Sequence, residues 1–122
     1  MARILIVEDE FLVAMSHEFT LTDAGHQVRI ASNGREAIAI LNEFRPKVVV
    51  TDYMMPMMDG AELIDRLRAN PATSGIGIIL ASAIPSDMLE ARVTGYDVHL
   101  AKPLRDTDLL AAVETLAGSD SS

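Results

Sequence analysis

Three carboxylates and a lysine stand directly after apolar runs in this chain. Asp52 closes Val48-Val49-Val50-Thr51, the pair Glu8-Asp9 follows Ile4-Leu5-Ile6-Val7, and Lys102-Pro103 follows Val98-His99-Leu100-Ala101. If those runs lie parallel in one sheet, all four side chains emerge at the edge where open α/β sheets bind ligands. Carboxylates brought together repel by about 4 kcal/mol per pair at about 4 Å and an effective dielectric of about 20, so they stay ionised together only around a cation. Magnesium suits such a set, because it takes a few carboxylates, a backbone carbonyl and retained waters, and accepts a phosphate oxygen in place of a water. A lysine alongside supplies a compact charge that pairs with a carboxylate at rest and with a phosphoryl oxygen afterwards. A single acid after a strand is more often a helix cap. Capping does not account for three acids and a lysine at separate strand mouths.

The elements that must position these groups are legible as alternation. Five short apolar runs, Arg3 to Val7, Val28 to Ala31, Val48 to Thr51, Ile78 to Ser82 and Val98 to Ala101, alternate with segments of helical periodicity, which reads as (βα)5. The runs 4–7, 48–51 and 78–81 are continuously apolar, as expected of interior parallel strands covered on both faces. Leu12, Met15 and Phe19 mark one face of a first helix ending before Gly25. Ala37, Leu41 and Phe44 mark a second ending before Pro46, with Asn33 and Glu36 spaced for capping. A third spans Ala61 to Ala69 and stops at Asn70-Pro71. Pro85-Ser86-Asp87 opens a fourth running to about Thr94, and Leu109, Val113 and Leu116 line a fifth. No internal repeat, low-complexity tract or interdomain linker interrupts residues 1–118, read as one domain, and 119–122 read as a disordered tail.

Composition narrows the function classes. The 122 residues are 49% hydrophobic, enough for one core without staples. There is no cysteine, so disulfides and thiolate metal sites are excluded. Eighteen acids against ten bases give a formal charge of −8, which opposes direct nucleic-acid binding. No stretch approaches the roughly 18 apolar residues of a membrane span, and the first apolar run is too short for a signal peptide. The expectation is a cytoplasmic protein with no membrane partner.

With these residues in view, the chain resembles a response-regulator receiver domain of two-component signalling, of the stand-alone type. The resemblance covers residues 3–117 and rests on Glu8-Asp9, the stretch Asp52-Tyr53-Met54-Met55-Pro56-Met57-Met58-Asp59-Gly60, Ser82-Ala83 after the fourth strand, and Lys102-Pro103 after the fifth. It implies a flavodoxin-like, doubly wound parallel sheet of strand order 2-1-3-4-5. It also implies that Asp52 accepts a phosphoryl group from the phosphohistidine of a sensor histidine kinase or phosphotransfer protein, by carboxylate attack on phosphorus. Glu8, Asp9, Asp52 and the Met54 carbonyl would hold Mg²⁺, Ser82 and Lys102 would contact the phosphoryl oxygens, and the Lys102-Pro103 bond would be cis.

Departures from the family pattern are informative. Glu8 stands where Asp is frequent, and its longer side chain could reach a metal-bound water instead of the metal. Ser82 replaces the commoner Thr. His99 stands where the family usually carries Tyr or Phe as a rotameric switch, which makes pH sensitivity conceivable. Met54 and Ile84 are apolar at positions that tend to influence phosphoryl lifetime in the family, and neither can hold an attacking water, which predicts a long-lived phosphoaspartate. The output face is expected on the fourth helix, fifth strand and fifth helix, with Asp87, Glu90, Tyr96, His99 and Asp106 as candidate contacts to a downstream protein.

Other readings fare worse. A magnesium-dependent aspartyl phosphohydrolase wants an acid two residues after the nucleophile, where this chain has Met54. A flavin binder clashes with the carboxylates. A phosphorylation-independent scaffold remains as the alternative if Asp52 takes no phosphoryl group. Four methionines within 54–58 read as adaptable loop packing, not a soft-metal site. His17 and His26 read as isolated and exposed.

Overall fold

The computed structural model describes residues 1–118; the tail expected at 119–122 lies outside them. Five strands, β1 (Arg3–Val7), β2 (Gln27–Ala31), β3 (Val48–Asp52), β4 (Gly77–Ser82) and β5 (Val98–Ala101), alternate with helices α1 (Phe11–Asp23), α2 (Gly34–Phe44), α3 (Gly60–Ala69), α4 (Ser86–Glu90) and α5 (Asp106–Gly118). All pairings are parallel and the order is β2-β1-β3-β4-β5. The three continuously apolar strands are the interior ones.

Strand alternation divides the core into two layers. Leu5, Val7, Val49, Ile78 and Leu80 pack with Leu63, Ile64, Leu67 and Leu89 on one side of the sheet. Ile4, Ile6, Val48, Val50 and Ile79 pack with Ala14, Leu21, Leu109 and Val113 on the other. Since β1, β3 and β4 are covered on both faces, their ends are held rigidly, and the charged residues at those ends inherit that rigidity.

Local chemistry sets the helix limits. The Asn33 side chain accepts a hydrogen bond from Glu36 N–H at 2.8 Å, and Ser32 N–H donates to the Glu36 carboxylate at 2.9 Å, closing a reciprocal cap at the start of α2. Asp59 caps α3 by accepting from Glu62 N–H at 2.9 Å. At its far end, Arg68 donates to the carbonyls of Ser74, Ile76 and Gly95 and to Asp97, whose carboxylate also accepts from Ile78 N–H. One guanidinium thereby ties α3 to the segments leading into β4 and β5.

Three expectations are corrected. Helix α4 is shorter than the run to Thr94, because Arg92 and Val93 N–H both converge on the Leu89 carbonyl and Gly95, at φ 93°, turns the chain back. The face of α1 marked by Leu12, Met15 and Phe19 is the solvent face, with Leu12 80% and Phe19 72% exposed; Ala14, His17 and Leu21 face the sheet. His17 and His26 are buried, not exposed. His17 falls on the inner side of α1 between Ala14 and Leu21, and the His26 Nδ1 accepts from Ala2 N–H at 3.1 Å beside the start of β1.

Candidate functional site

At the C-terminal edge of the sheet, each charged residue takes its place from the strand it follows. Val7 ends β1, Glu8 N–H donates to the Ala31 carbonyl at 3.0 Å, and the Glu8 side chain turns inward, only 3% exposed. Asp52 is the last residue of β3 and is 5% exposed. Lys102 N–H donates to the Ser82 carbonyl at 3.1 Å, fixing the lysine backbone beside the end of β4. The Lys102-Pro103 bond is cis.

The Lys102 ammonium bridges the two buried acids, with Nζ 3.1 Å from Asp52 Oδ1 and 3.5 Å from Glu8 Oε1. The other Glu8 oxygen accepts from Glu10 N–H at 3.1 Å. Ser82, also buried, accepts from Ile84 N–H on its Oγ at 3.0 Å. These groups border a cavity of about 260 Å³ lined by Asp9, Glu10, Asp52, Met54, Ser82, Ile84 and Lys102 among others. Glu8, Asp9 and Asp52 each offer a carboxylate oxygen, and the three lie within 4.8 Å of one another. The set is all oxygen, with no thiol or imidazole, and it combines two buried acids with one exposed one. Those donors fit a hard divalent cation that keeps part of its water shell.

The two buried carboxyls titrate as a pair. Burial and then Glu8, through both hydrogen bond and charge, push Asp52 up to about 8 against the pull of Lys102. Burial also pushes Glu8 upward, but the Asp52 hydrogen bond, the Glu10 N–H and Lys102 outweigh it and hold Glu8 below its ordinary value. Burial works against the Lys102 charge, yet Asp52 and Glu8 hold its pKa above the usual lysine value. In the metal-free site the shared proton therefore favours Asp52 over Glu8, with the Glu8 charge beside the Lys102 ammonium. A cation entering the site takes the place of that proton.

This has a consequence for stability. The Asp52 pKa is raised on folding from an unfolded value of about 3.9. The stability contributed by its proton is thus full below pH ~3.9 and is lost as pH rises through about 8. Asp52→Asn is expected to remove this dependence in metal-free buffer, exceeding the wild type by about 2 kcal/mol near pH 8, with the gap widening as pH rises from 4. Urea unfolding in chelator at pH 5, 7 and 9 measures it; an equal gap at all three values would contradict the assignment of the proton to Asp52.

Glu8, Asp9, Asp52, Ser82 and Lys102 converge on this site, and Met54, 72% exposed, is among the residues that line its cavity. His99 stands apart, on the side of β5 that faces α4, where its Nδ1 lies 3.2 Å from Ser86 Oγ and its Nε2 is buried without a hydrogen-bond partner. Asp87, Glu90 and Asp106 are exposed, and Tyr96 is half-buried against the core. Ser86 as the partner of His99 and Gly60 as the residue on which the β3 exit rests carry no sequence signal beyond their motif positions.

Residues 4–114 match the family model for the response regulator receiver domain. The virulence transcriptional regulatory protein PhoP of Shigella flexneri is 33% identical over 93% of this chain and 51% of its own length. The chain spans about half the length of the curated relatives it matches. Among solved structures, the receiver domain of a signal transduction histidine kinase from Syntrophus aciditrophicus superposes with a TM-score of 0.90 at 33% identity, covering 98% of this chain and 92% of that one. A receiver domain of a Pseudomonas aeruginosa sensor histidine kinase, with a magnesium ion coordinated in its active-site cleft, is similar at 25% identity and TM-score 0.85, covering 96% and 98%.

Proposed function

This chain belongs to the response regulator receiver domain family, and from that premise we propose that it is a phosphorylation-activated switch whose phosphoacceptor is Asp52. The observation that carries the reading is the Lys102 ammonium 3.1 Å from a buried Asp52 that lines the cavity together with Asp9 and Ser82. An ionised Asp52 oxygen attacks the phosphorus of a phosphohistidine on a sensor kinase or phosphotransfer protein. The P–N bond breaks, the imidazole departs with its electron pair, and an acyl phosphate remains on Asp52. Glu8, Asp9, Asp52 and the Met54 carbonyl would hold Mg²⁺, which supplies charge neutralisation for the transferring phosphoryl oxygens. Lys102 then exchanges its carboxylate partner for a phosphoryl oxygen, and the Ser82 hydroxyl leaves Ile84 N–H to donate to another.

Output follows from that exchange. Movement of Ser82 pulls on the segment 83–85 and with it the start of α4, where Ser86 meets His99. The face bearing Asp87, Glu90, Tyr96, His99 and Asp106 is the one whose contacts with a downstream protein would change. Driving such a switch from 1:99 to 99:1 takes about 5.5 kcal/mol of differential interaction, a scale accessible to a new dianion held by a cation, a lysine and a hydroxyl. The test is intact-mass measurement after incubation with a small-molecule phosphodonor and Mg²⁺. The expected result is a gain of one phosphoryl group that requires the metal; no gain would leave the scaffold reading in its place.

A further inference from the structure

The four methionines at 54, 55, 57 and 58 divide by environment. Met58 is buried and Met55 packs against the core, whereas Met54 and Met57 are 72% and 69% exposed and take no part in packing. Met54 differs from Met57 in a second respect: it lines the cavity over Asp52, together with Asp9, Ser82, Ile84 and Lys102. The chain has no cysteine, so thioethers are the only sulfur a peroxide can oxidise. An exposed thioether residue thus belongs to the lining of the phosphorylation site, where it and Ile84 are the large apolar members of a wall that also carries Asp9, Glu10 and Ser82, and where a thioether is at most a weak hydrogen-bond acceptor. From this placement we propose that Met54 is an oxidation site through which peroxide shortens the lifetime of the acyl phosphate, an inference that rests on phosphorylation of Asp52.

The chemistry balances without further reagents. The Met54 sulfur lone pair attacks one peroxide oxygen, the O–O bond breaks, an S–O bond forms and water leaves; the sulfur is oxidised by two electrons and the peroxide reduced. The sulfoxide oxygen is a strong hydrogen-bond acceptor in place of a weak one, added on the apolar part of the cavity wall. It orients a water at the cavity mouth, whose oxygen attacks phosphorus. The P–O bond to Asp52 breaks, releasing inorganic phosphate and the free carboxylate, while the proton of the attacking water passes to the phosphate. One added hydrogen bond to that water corresponds to an acceleration of about fivefold.

The experiment treats the full chain with hydrogen peroxide, maps oxidised methionines by peptide mass, and then follows decay of phospho-Asp52 formed from acetyl phosphate and Mg²⁺. Each protein is compared with its own untreated sample. Expected are oxidation at Met54, decay about fivefold faster in treated wild type and treated Met57→Leu, no response to peroxide in Met54→Leu, and restoration by methionine sulfoxide reductases. Unchanged decay with Met54 fully oxidised, or an equal response in Met54→Leu, overturns the inference while leaving phosphorylation intact. If the untreated protein acquires no phosphoryl group, both readings fall together.

Discussion

Replacing Asp52 with alanine is expected to abolish phosphoryl uptake from a small-molecule donor in the presence of Mg²⁺, with no loss of fold. The substitution removes the buried carboxylate oxygen that lies 3.1 Å from Lys102 Nζ, on a residue that lines the cavity. Glu8 is equally buried, but its carboxylate is engaged by Glu10 N–H and its longer reach to Lys102 is 3.5 Å. Asp9 is exposed and has no strand geometry fixing it behind an incoming phosphorus. In-line transfer depends on a nucleophile held at attack distance, an advantage of several kcal/mol that an unpositioned carboxylate lacks. Uptake should therefore fall by at least about a hundredfold instead of shifting to a neighbour. Unfolding is not the expected cause of such a loss, because removing a carboxyl that burial and Glu8 push upward relieves the folded state at neutral pH and above. The measurement pairs intact mass with a melting curve in chelator at pH 8. Equal labelling of Asp52→Ala would place the phosphoacceptor elsewhere, and a large fall in melting temperature would contradict the electrostatic account of the site.

How far the sequence could be read depended on whether a signal was local. The strands were legible because β1, β3 and β4 are buried on both faces and so carry unbroken apolar runs, and the site was legible because its charges follow those runs directly. Helix caps such as Asn33 and Asp59 are equally local. Helix α1 shows where periodicity stops being sufficient. It has large apolar residues on one side and Ala14, His17 and Leu21 on the other, and the close approach of the helix to the sheet selects the side with smaller residues. The largest apolar residues are left in solvent as a result. His17 shares a face with Ala14 and Leu21 at helical spacing, so its burial had a readable trace. The burial of His26 did not, since it depends on the amide of Ala2, 24 positions away. The Ser86–His99 contact is likewise tertiary, and only the packing of α4 over β5 brings the two together.

Gly60 ties the stability of the fold to the position of the phosphoacceptor, and its substitution is expected to damage both. It is the first residue of α3, and its N–H donates to the Tyr53 carbonyl at 2.7 Å, drawing the helix onto the exit of β3. A Cβ at this position would collide with the carbonyl oxygen of Asp52 and would stand 2.9 Å from Tyr53 Cα. Both obstacles are backbone. No flexible side chain can swing away, so either α3 lifts from the sheet or the end of β3 moves. Lifting α3 weakens the packing of Leu63, Ile64 and Leu67, all fully buried, against Val49 and Leu80. Moving β3 displaces Asp52 from Lys102 and from the cavity. Overpacking against rigid neighbours costs typically about 1–3 kcal/mol, and the backbone collision places Gly60→Ala at about 3 kcal/mol. Gly60→Val adds two methyls at the same collision and is expected to cost more. Urea unfolding measures the loss, and phosphoryl uptake at a temperature where Gly60→Ala is still folded separates the two effects. If the folded fraction of Gly60→Ala takes up phosphoryl at the wild-type rate, α3 has yielded and β3 has stayed in place. A rate lowered about tenfold or more, the penalty expected when a reacting oxygen is misplaced by a fraction of an ångström, means that the end of β3 has moved and that Gly60 holds Asp52 at its working position.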